Sequence, residues 1–179
     1  MIFDYHGYGT SEGEPSPAAT IADGHAALRE MRKLYPDKKI VVFAQSLGGA
    51  IGLRAVIDMK NEVPVSLVVA DSTFASYRSV ARSTLAHGWI TWPFQPLGWL
   101  VMSDEFAPRD VLSNLAPTPL VVIHGEKDRT VSIDMGWDVY DHAAQPKEFW
   151  SIPGGTHTDS MYRPAIAKRF IEKLDSICR

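Results

Sequence analysis

The stretch Ile40-Val41-Val42-Phe43-Ala44-Gln45-Ser46-Leu47-Gly48-Gly49 decides the fold of this chain. It begins with an unbroken run of β-branched and aromatic residues, which is typical of a buried strand. The run passes without a loop into a helical pattern that extends from Ser46 to about Met59. Ala44 and Gly48 flank Ser46, so a strand and a helix can approach closely across the turn. The sequence therefore predicts a strand, a sharp turn and a helix, with Ser46 in the turn.

A serine in such a turn is positioned for nucleophilic chemistry. The pattern small-x-Ser-x-Gly strains the serine backbone and lifts the hydroxyl of Ser46 above the sheet, at the N-terminus of the helix. The backbone amide of Leu47 is then placed to donate a hydrogen bond to an oxyanion. The alternative is a serine that only caps the helix. The turn by itself does not separate these two interpretations.

The rest of the sequence alternates apolar, β-branched runs with helical patterns. This alternation predicts the α/β class, with a mainly parallel sheet, helices on both of its faces, and one domain over residues 1–179. The predicted strands are Ile2–Tyr5, Ile40–Ala44, Ser66–Ala70, Leu120–Ile123 and Glu148–Ile152. The predicted helices outside the turn motif are Pro17–Tyr35 with Ser16 as its N-cap, Ser132–His142 and Met161–Ile177.

Residues 74–114 form a segment that is too long for an ordinary connection between strands. The segment is rich in aromatic residues, and we interpret it as a helical lid insertion over the sheet. The alternative is a cap that buries its aromatic side chains against the sheet. The uncharged run at 83–103 is long enough to span a membrane, but its proline, glycine and polar residues argue against a span. As a lid, the segment would line an apolar, substrate-binding acyl pocket with Trp89, Trp92, Phe94 and Trp99.

Composition narrows the classes of function. The chain has 179 residues and a formal net charge of -3, so we expect no basic surface for nucleic acid. Cys178 is the only cysteine, which excludes an internal disulfide and a cysteine metal site. The sequence contains no phosphate-binding loop and no dinucleotide motif, so no cofactor and no metal are implied. We expect a cytoplasmic protein, and the sequence leaves open a membrane anchor upstream of Met1.

Two later loops contain the partners that a serine nucleophile needs. A serine hydroxyl requires a histidine to accept its proton and a carboxylate to orient that histidine. His157 lies in a glycine-rich loop after the fifth predicted strand, and Asp128 follows the fourth. Asp71, at the end of the third predicted strand, is the alternative carboxylate. We expect His124 to pack or hydrogen-bond beneath the Asp128 loop. The order Ser46, Asp128, His157 is the one expected for this architecture.

These motifs resemble those of α/β-hydrolases of the serine-hydrolase type, and most closely the BEM46-like and ABHD13-like group. By resemblance, Ser46 is the nucleophile, Asp128 is the acid of a triad and His157 is the general base. The resemblance implies a small-molecule substrate with an ester or other acyl bond, and we place Gln45 among the substrate-binding residues. The residues that carry the resemblance are Phe-Asp-Tyr-His-Gly-Tyr-Gly-Thr-Ser-Glu-Gly at 3–13, the turn at 44–49, Asp71–Phe74, His124–Val131 and Gly154–His157.

The resemblance is incomplete at the start of the chain. The family places a His-Gly loop, which supplies the first oxyanion donor, after a strand between the counterparts of Ile2–Tyr5 and Ile40–Ala44. His6-Gly7 is the alternative for that loop, although the residues around it match a later loop of the family better. We therefore expect an N-terminally incomplete α/β-hydrolase fold with half of its oxyanion hole missing. Unpaired strand edges would follow, so the chain is either a truncated gene product or a homodimer that covers them.

The expected function is that of an esterase-like serine hydrolase, which cleaves ester or related acyl bonds through an acyl-enzyme on Ser46. Two alternatives stay open. One is a weakly active or inactive hydrolase remnant that acts as a binding or self-associating module. The other is an acyltransferase that uses the same three residues and passes the acyl group to an alcohol or an amine.

Overall fold

The structure is a computed structural model that describes residues 1–86 and 102–178. In this part of the chain, four parallel strands form one sheet, and their order in the sheet is their order in the sequence. Four of the predicted strands are therefore confirmed, with ends close to the predicted ones. The strands are β1 (Val41–Gln45), β2 (Leu67–Asp71), β3 (Leu120–Gly125) and β4 (Lys147–Ile152).

The helices agree with the sequence pattern, and Ser16 caps the first one as predicted. Its hydroxyl accepts a hydrogen bond of 3.1 Å from the amide of Ala19. The last helix begins later than predicted, at Pro164, because proline lacks an N–H and is favoured in the first turn. The α-helices in the described ranges are α1 (Pro17–Leu34), α2 (Ser46–Met59), α3 (Tyr77–Ala86), α4 (Ile133–His142) and α5 (Pro164–Cys178), and 3-10 turns lie at Arg109–Leu115 and Ser160–Tyr162.

Apolar side chains cover both faces of the sheet, because parallel strands connected through helices are buried on each side. On β2, Val68 and Ala70 face a core that is built with α1, α2 and α4. Leu67 and Val69 face the opposite way, into a core that α5 closes. Trp150 of β4 is buried in this second core. The predicted class, an α/β fold with a parallel sheet and helices on both faces, is confirmed.

The predicted strand at Ile2–Tyr5 is wrong: these residues form no strand, and Ile2 is 99% exposed. The segment is held by the glycine-rich loop that follows it, in which Ser11 donates a hydrogen bond of 2.7 Å to the carbonyl oxygen of Asp4. The imidazole of His6 also pairs with Asp23 of α1. A strand needs a neighbour that accepts and donates its backbone hydrogen bonds. None of the strands in the described ranges pairs with this segment.

A cavity of about 320 Å³ lies between the N-terminal segment, α1, α2 and one edge of β1. In the described residues β1 pairs only with β2, so its other edge faces this cavity. The cavity lies where the sequence predicts a gap next to this strand. Closure of the gap by a second copy of the chain stays a prediction. Apolar side chains line much of the cavity, including those of Phe3, Leu28, Met31, Ile51 and Val56.

Only the two ends of the predicted lid insertion lie in the described ranges. Phe74 packs against Val131 and Met135, and Ser76 donates a hydrogen bond of 2.7 Å to Asp104, which joins the two ends. The lid and its acyl pocket stay predictions. No helix in the described part of the chain is both long enough and apolar enough to cross a membrane. The four aromatic residues predicted to bind substrate lie outside the described residues: Trp89, Trp92, Phe94 and Trp99.

Candidate active site

The turn between β1 and α2 is strained at Ser46, whose φ is 51°. A non-glycine residue in this left-handed region costs on the order of 1 kcal/mol or more, and such residues are typical of functional sites. The strand and the helix approach so closely that a Cβ added to Gly52 would lie 3.0 Å from the Cβ of Ala44. The contact leaves little room for a side chain at Gly52, and the need for small residues at Ala44 and Gly48 stays a prediction.

The loop after β4 brings His157 to Ser46. The loop folds tightly, because a Cβ added to Gly155 would lie 2.8 Å from the Cβ of Ile152. The carbonyl oxygen of Gly155 accepts a hydrogen bond of 2.8 Å from the amide of Lys127, which joins this loop to the one after β3. The Nε2 atom of His157 then lies 3.0 Å from the Oγ atom of Ser46.

Asp128 holds the other side of the His157 ring. Its Oδ2 atom lies 2.8 Å from His157 Nδ1, and its side chain is 0% exposed. Its Oδ1 atom accepts hydrogen bonds of 2.9 Å from the amides of Thr130 and Val131. Because a carboxylate only accepts hydrogen bonds, His157 Nδ1 carries the hydrogen and Nε2 is left to accept the proton of Ser46. The structure thus brings the three predicted residues together in one hydrogen-bonded chain.

The site is open on the side of the imidazole. The side chain of His157 is 24% exposed, whereas that of Asp128 is sealed from solvent. Water can therefore reach His157 while the carboxylate that orients it stays dry. An arrangement of this kind can move a proton from a hydroxyl to the imidazole and back to a leaving group or to water.

His124 lies behind Asp128 and is completely buried, as we expected from the sequence. Its Nε2 atom donates a hydrogen bond of 2.9 Å to the carbonyl oxygen of Val131 and lies 3.5 Å from Asp128 Oδ2. Burial lowers the pKa of His124, and the hydrogen bond to Val131 and the charge of Asp128 oppose that change only in part. A neutral His124 therefore supports the loop that carries Asp128.

Asp71, the alternative carboxylate, does not contact His157 but forms a second buried network. Its Oδ2 atom accepts hydrogen bonds of 2.8 Å from Gln45 Nε2 and 2.6 Å from Ser160 Oγ. Its Oδ1 atom accepts one of 3.1 Å from the hydroxyl of Ser72. Asp71 therefore links the residue before Ser46 to the segment after His157.

The sequence pattern does not predict this linking role of Asp71. The signal that points to it is the parallel register, in which Gln45 and Asp71 are direct neighbours at the carboxyl ends of β1 and β2. The hydroxyl of Ser72 extends the link, since it accepts a hydrogen bond of 3.0 Å from the amide of Thr158. The side-chain amide of Gln45 is engaged by Asp71, and its predicted contact with substrate stays a prediction.

The expected oxyanion donor, the amide of Leu47, lies in the first turn of α2. Amides in the first turn of a helix have no partner within the helix, and no side chain caps α2. The alternative loop at His6-Gly7 uses its amides elsewhere. His6 N donates to Asp23 Oδ2 at 2.8 Å, and Gly7 N donates to the carbonyl oxygen of Glu12 at 3.2 Å. Leu47 therefore stays the predicted amide donor, and His6-Gly7 does not supply a free one.

Solved structures with the same architecture include an α/β-hydrolase, and the fold of this chain is an α/β-hydrolase fold. GrgF from Penicillium sp. sh18 matches with a TM-score of 0.72 and 17% identity, over 97% of this chain and 77% of that protein. The esterase Pf2001 from Pyrococcus furiosus matches with a TM-score of 0.71 and 18% identity, over 97% of this chain and 67% of the esterase. At these identities the likeness concerns the fold alone.

Residues 1–101 match the model of the Hydrolase_4 family, described as serine aminopeptidase, S33, and the chain belongs to this family. YfhR from Escherichia coli (strain K12) is 30% identical over 162 residues, which are 89% of this chain and 53% of YfhR. Protein bem46 from Schizosaccharomyces pombe (strain 972) is 27% identical over 166 residues, which are 89% of this chain and 52% of bem46. The chain thus spans about half the length of these curated relatives.

Proposed function

We propose that this protein is a serine hydrolase that cleaves small esters or related acyl compounds through an acyl-enzyme on Ser46. The observation that carries this proposal is the position of His157, whose Nε2 lies 3.0 Å from Ser46 Oγ and whose Nδ1 lies 2.8 Å from Asp128 Oδ2. Membership of a hydrolase family and the fold of solved esterases support the same class of reaction.

In the acylation step, His157 Nε2 accepts the proton of Ser46 Oγ while that oxygen forms a bond to the acyl carbon. The carbon–oxygen double bond opens, and its electron pair moves to the carbonyl oxygen. The amide of Leu47 donates a hydrogen bond to this oxyanion. When the double bond forms again, the bond to the leaving group breaks and the leaving group takes the proton from His157.

The deacylation step repeats this sequence with water. His157 Nε2 accepts a proton from water while the water oxygen bonds to the acyl carbon, and the ester bond to Ser46 then breaks. Ser46 Oγ recovers its proton from His157, and the acid is released. Asp128 orients the imidazole in both steps and stabilises its positive charge. The exposure of His157 supports access of water to this step.

A fluorophosphonate probe tests the proposal directly. We expect the protein to be labelled at Ser46 and to hydrolyse p-nitrophenyl butyrate. The variant Ser46→Ala should lose labelling and lose at least about 10⁴-fold in kcat. Ser176→Ala, which changes a serine of α5, serves as the control and should match the original protein. Labelling that survives Ser46→Ala would overturn the assignment of the nucleophile.

The two alternatives, an inactive hydrolase remnant and an acyltransferase, predict different results in these experiments. A folded protein that is neither labelled nor active would indicate a hydrolase remnant. Product analysis with added ethanol or an amine separates hydrolysis from acyl transfer, because an acyltransferase would form the ester or amide in preference to the free acid. For the hydrolase that we propose, free acid should be the main product.

A further inference from the structure

Tyr5 lies beside the turn that carries Ser46, on the side of the cavity. It lines this cavity together with Gln45 and Gly48, which flank the segment Ser46-Leu47. A Cβ added to Gly48 would lie 3.8 Å from the phenol oxygen of Tyr5. The Cα–Cβ bond of a helical residue tilts toward the N-terminus of the helix. The phenol of Tyr5 is therefore next to the first turn of α2, which also contains the amide of Leu47.

The amide of Leu47 on this first turn is the proposed hydrogen-bond donor to the oxyanion, and in the described residues the loop at His6-Gly7 supplies no second one. Stabilisation of a developing oxyanion usually uses at least two donors that point at one position. The amides of His6 and Gly7 are engaged by Asp23 and by the carbonyl oxygen of Glu12. The phenol of Tyr5 comes from the same N-terminal segment and approaches the turn from the open edge of β1.

We propose that the phenol of Tyr5 is the second donor to the oxyanion, opposite the amide of Leu47. In the acylation step described above, Tyr5 Oη–H would donate a hydrogen bond to the carbonyl oxygen as its negative charge develops, and it would keep its proton throughout. This inference rests on the proposed hydrolase function. It assigns one donor of the oxyanion hole to a side chain of the N-terminal segment.

The surroundings of Tyr5 suit this role. Tyr5 is half-buried, and its burial, together with the charge of Asp23, raises the pKa of its phenol. The phenol is thus protonated near neutral pH and able to donate. The ring of Phe3 packs against the Tyr5 ring edge to face, with the ring centres 5.1 Å apart, and the carbonyl oxygen of Tyr5 accepts a hydrogen bond of 2.9 Å from the amide of Tyr8. These contacts restrict the position of the phenol.

The variant Tyr5→Phe removes one oxygen atom and keeps the ring. We expect kcat for p-nitrophenyl butyrate to fall by about 10²-fold, with little change in KM, since the interaction is formed only as the oxyanion develops. The control is Tyr8→Phe, a tyrosine of the same loop that is 55% exposed, which should keep the original kcat. Unchanged kcat in a folded Tyr5→Phe variant overturns the role of Tyr5.

An oxygen-to-sulfur substitution in the substrate separates this role from a structural one. Sulfur accepts hydrogen bonds poorly, so the original protein should cleave p-nitrophenyl thionobutyrate much more slowly than the ester. If the phenol of Tyr5 donates to the carbonyl oxygen, Tyr5→Phe should reduce the ratio of the ester rate to the thionoester rate by about 10-fold or more. A structural disturbance would lower both rates equally and leave the ratio unchanged, which would overturn the proposal.

If Tyr5→Phe does not fold, NMR on the protein without a substitution still tests the role of Tyr5. In protein labelled with ¹³C at the tyrosine Cζ atoms, a trifluoromethyl ketone that adds to Ser46 should shift one tyrosine resonance, because the bound oxyanion accepts the phenol hydrogen. If the adduct forms and no tyrosine resonance shifts, Tyr5 is not the donor. If the ketone, the fluorophosphonate and the ester all fail to react, the proposed function itself is wrong.

Discussion

The hydroxyl of Thr73 donates a hydrogen bond of 2.6 Å to the carbonyl oxygen of Ser46. Thr73 is completely buried just beyond the end of β2. Its side chain presses against α2, because a Cβ added to Gly49 would lie 2.3 Å from Thr73 Oγ1. The strained turn at Ser46 is therefore held in place by the neighbouring strand as well as by its own strand and helix.

This contact predicts the effects of Thr73→Val and Gly49→Ala. Thr73→Val keeps the shape and loses the hydrogen bond, so the free energy of unfolding should fall by about 1 kcal/mol. Gly49→Ala pushes a methyl group into Thr73 and should cost about 1 to 3 kcal/mol. Urea denaturation measures both changes. A stabilising effect of Gly49→Ala, which an open helix position would show, would contradict the packing.

The contacts of Asp128 predict that Asp128→Asn impairs catalysis more than folding. An asparagine can still accept hydrogen bonds from Thr130 and Val131 through one oxygen. Its NH₂ group would face His157 Nδ1 and select the tautomer whose Nε2 carries the hydrogen. We therefore expect kcat to fall by about 10⁴-fold, as measured with p-nitrophenyl butyrate.

The matched control for this prediction is Asp141→Asn, an exposed aspartate of α4. It should leave both kcat and the melting temperature unchanged. Full activity of a folded Asp128→Asn variant would show that the carboxylate does not orient His157.

The second buried network predicts a role for Ser160 in both stability and activity. Ser160→Ala removes a donor from the fully buried carboxylate of Asp71, so we expect a loss of about 2 kcal/mol in the free energy of unfolding. Because Ser160 follows His157 closely, kcat should also fall while KM changes little. Ser176→Ala, the same substitution at an exposed position, should stay within about 0.5 kcal/mol. Equal effects of the two substitutions would argue against the network.

The pairing of Glu148 predicts a pH dependence of stability. A hydrogen bond from Lys173 lowers the pKa of Glu148, burial opposes this change, and Trp150 and Arg169 add to it. A carboxyl group with a lowered folded pKa contributes stability above its unfolded pKa of about 4.3 and loses it as the pH falls through the folded value. Glu148→Gln should thus destabilise the protein at pH 7, and this difference should shrink below about pH 4.3.

The magnitude of this effect is small, because the side chain of Glu148 is 39% exposed. We expect at most about 1 kcal/mol at low salt, with a decrease at high salt. Glu172→Gln on α5, the helix that carries Lys173, is the control, since Glu172 is 64% exposed and pairs with Lys168 at 3.9 Å. Denaturation curves between pH 3 and pH 7 measure both variants. A difference between the original protein and Glu148→Gln that does not change with pH would contradict the prediction.

Much of the fold could be predicted because its signals are local. The β-branched and aromatic runs predict β1 to β4, the Ser16-Pro17 pair predicts the start of α1, and Ser46 between Ala44 and Gly48 predicts the turn. The prediction for Ile2–Tyr5 is wrong for a reason outside these residues. Their pattern suits a strand, but pairing depends on a neighbouring edge, and in the described residues no strand pairs with them.

In the candidate site, too, the features that depend on near neighbours in the sequence could be predicted, and the contacts between distant residues could not. The order of Ser46, Asp128 and His157, each at the carboxyl end of a predicted strand, indicates which loops should meet. The buried link through Asp71 involves residues whose separation in the sequence carries no pattern, and only the register of β1 and β2 makes Gln45 and Asp71 neighbours. The sequence pattern therefore does not predict this link.

The sequence by itself determined the α/β class, the strained turn and the kinds of side chain available for chemistry, because backbone propensity and short motifs act between near neighbours. The tertiary structure alone decided that His157 lies between Ser46 and Asp128, that Thr73 holds the turn, and that Tyr5 stands beside it. These contacts join segments far apart in the chain, and they arise only when the packing of helices on the sheet brings the loops together.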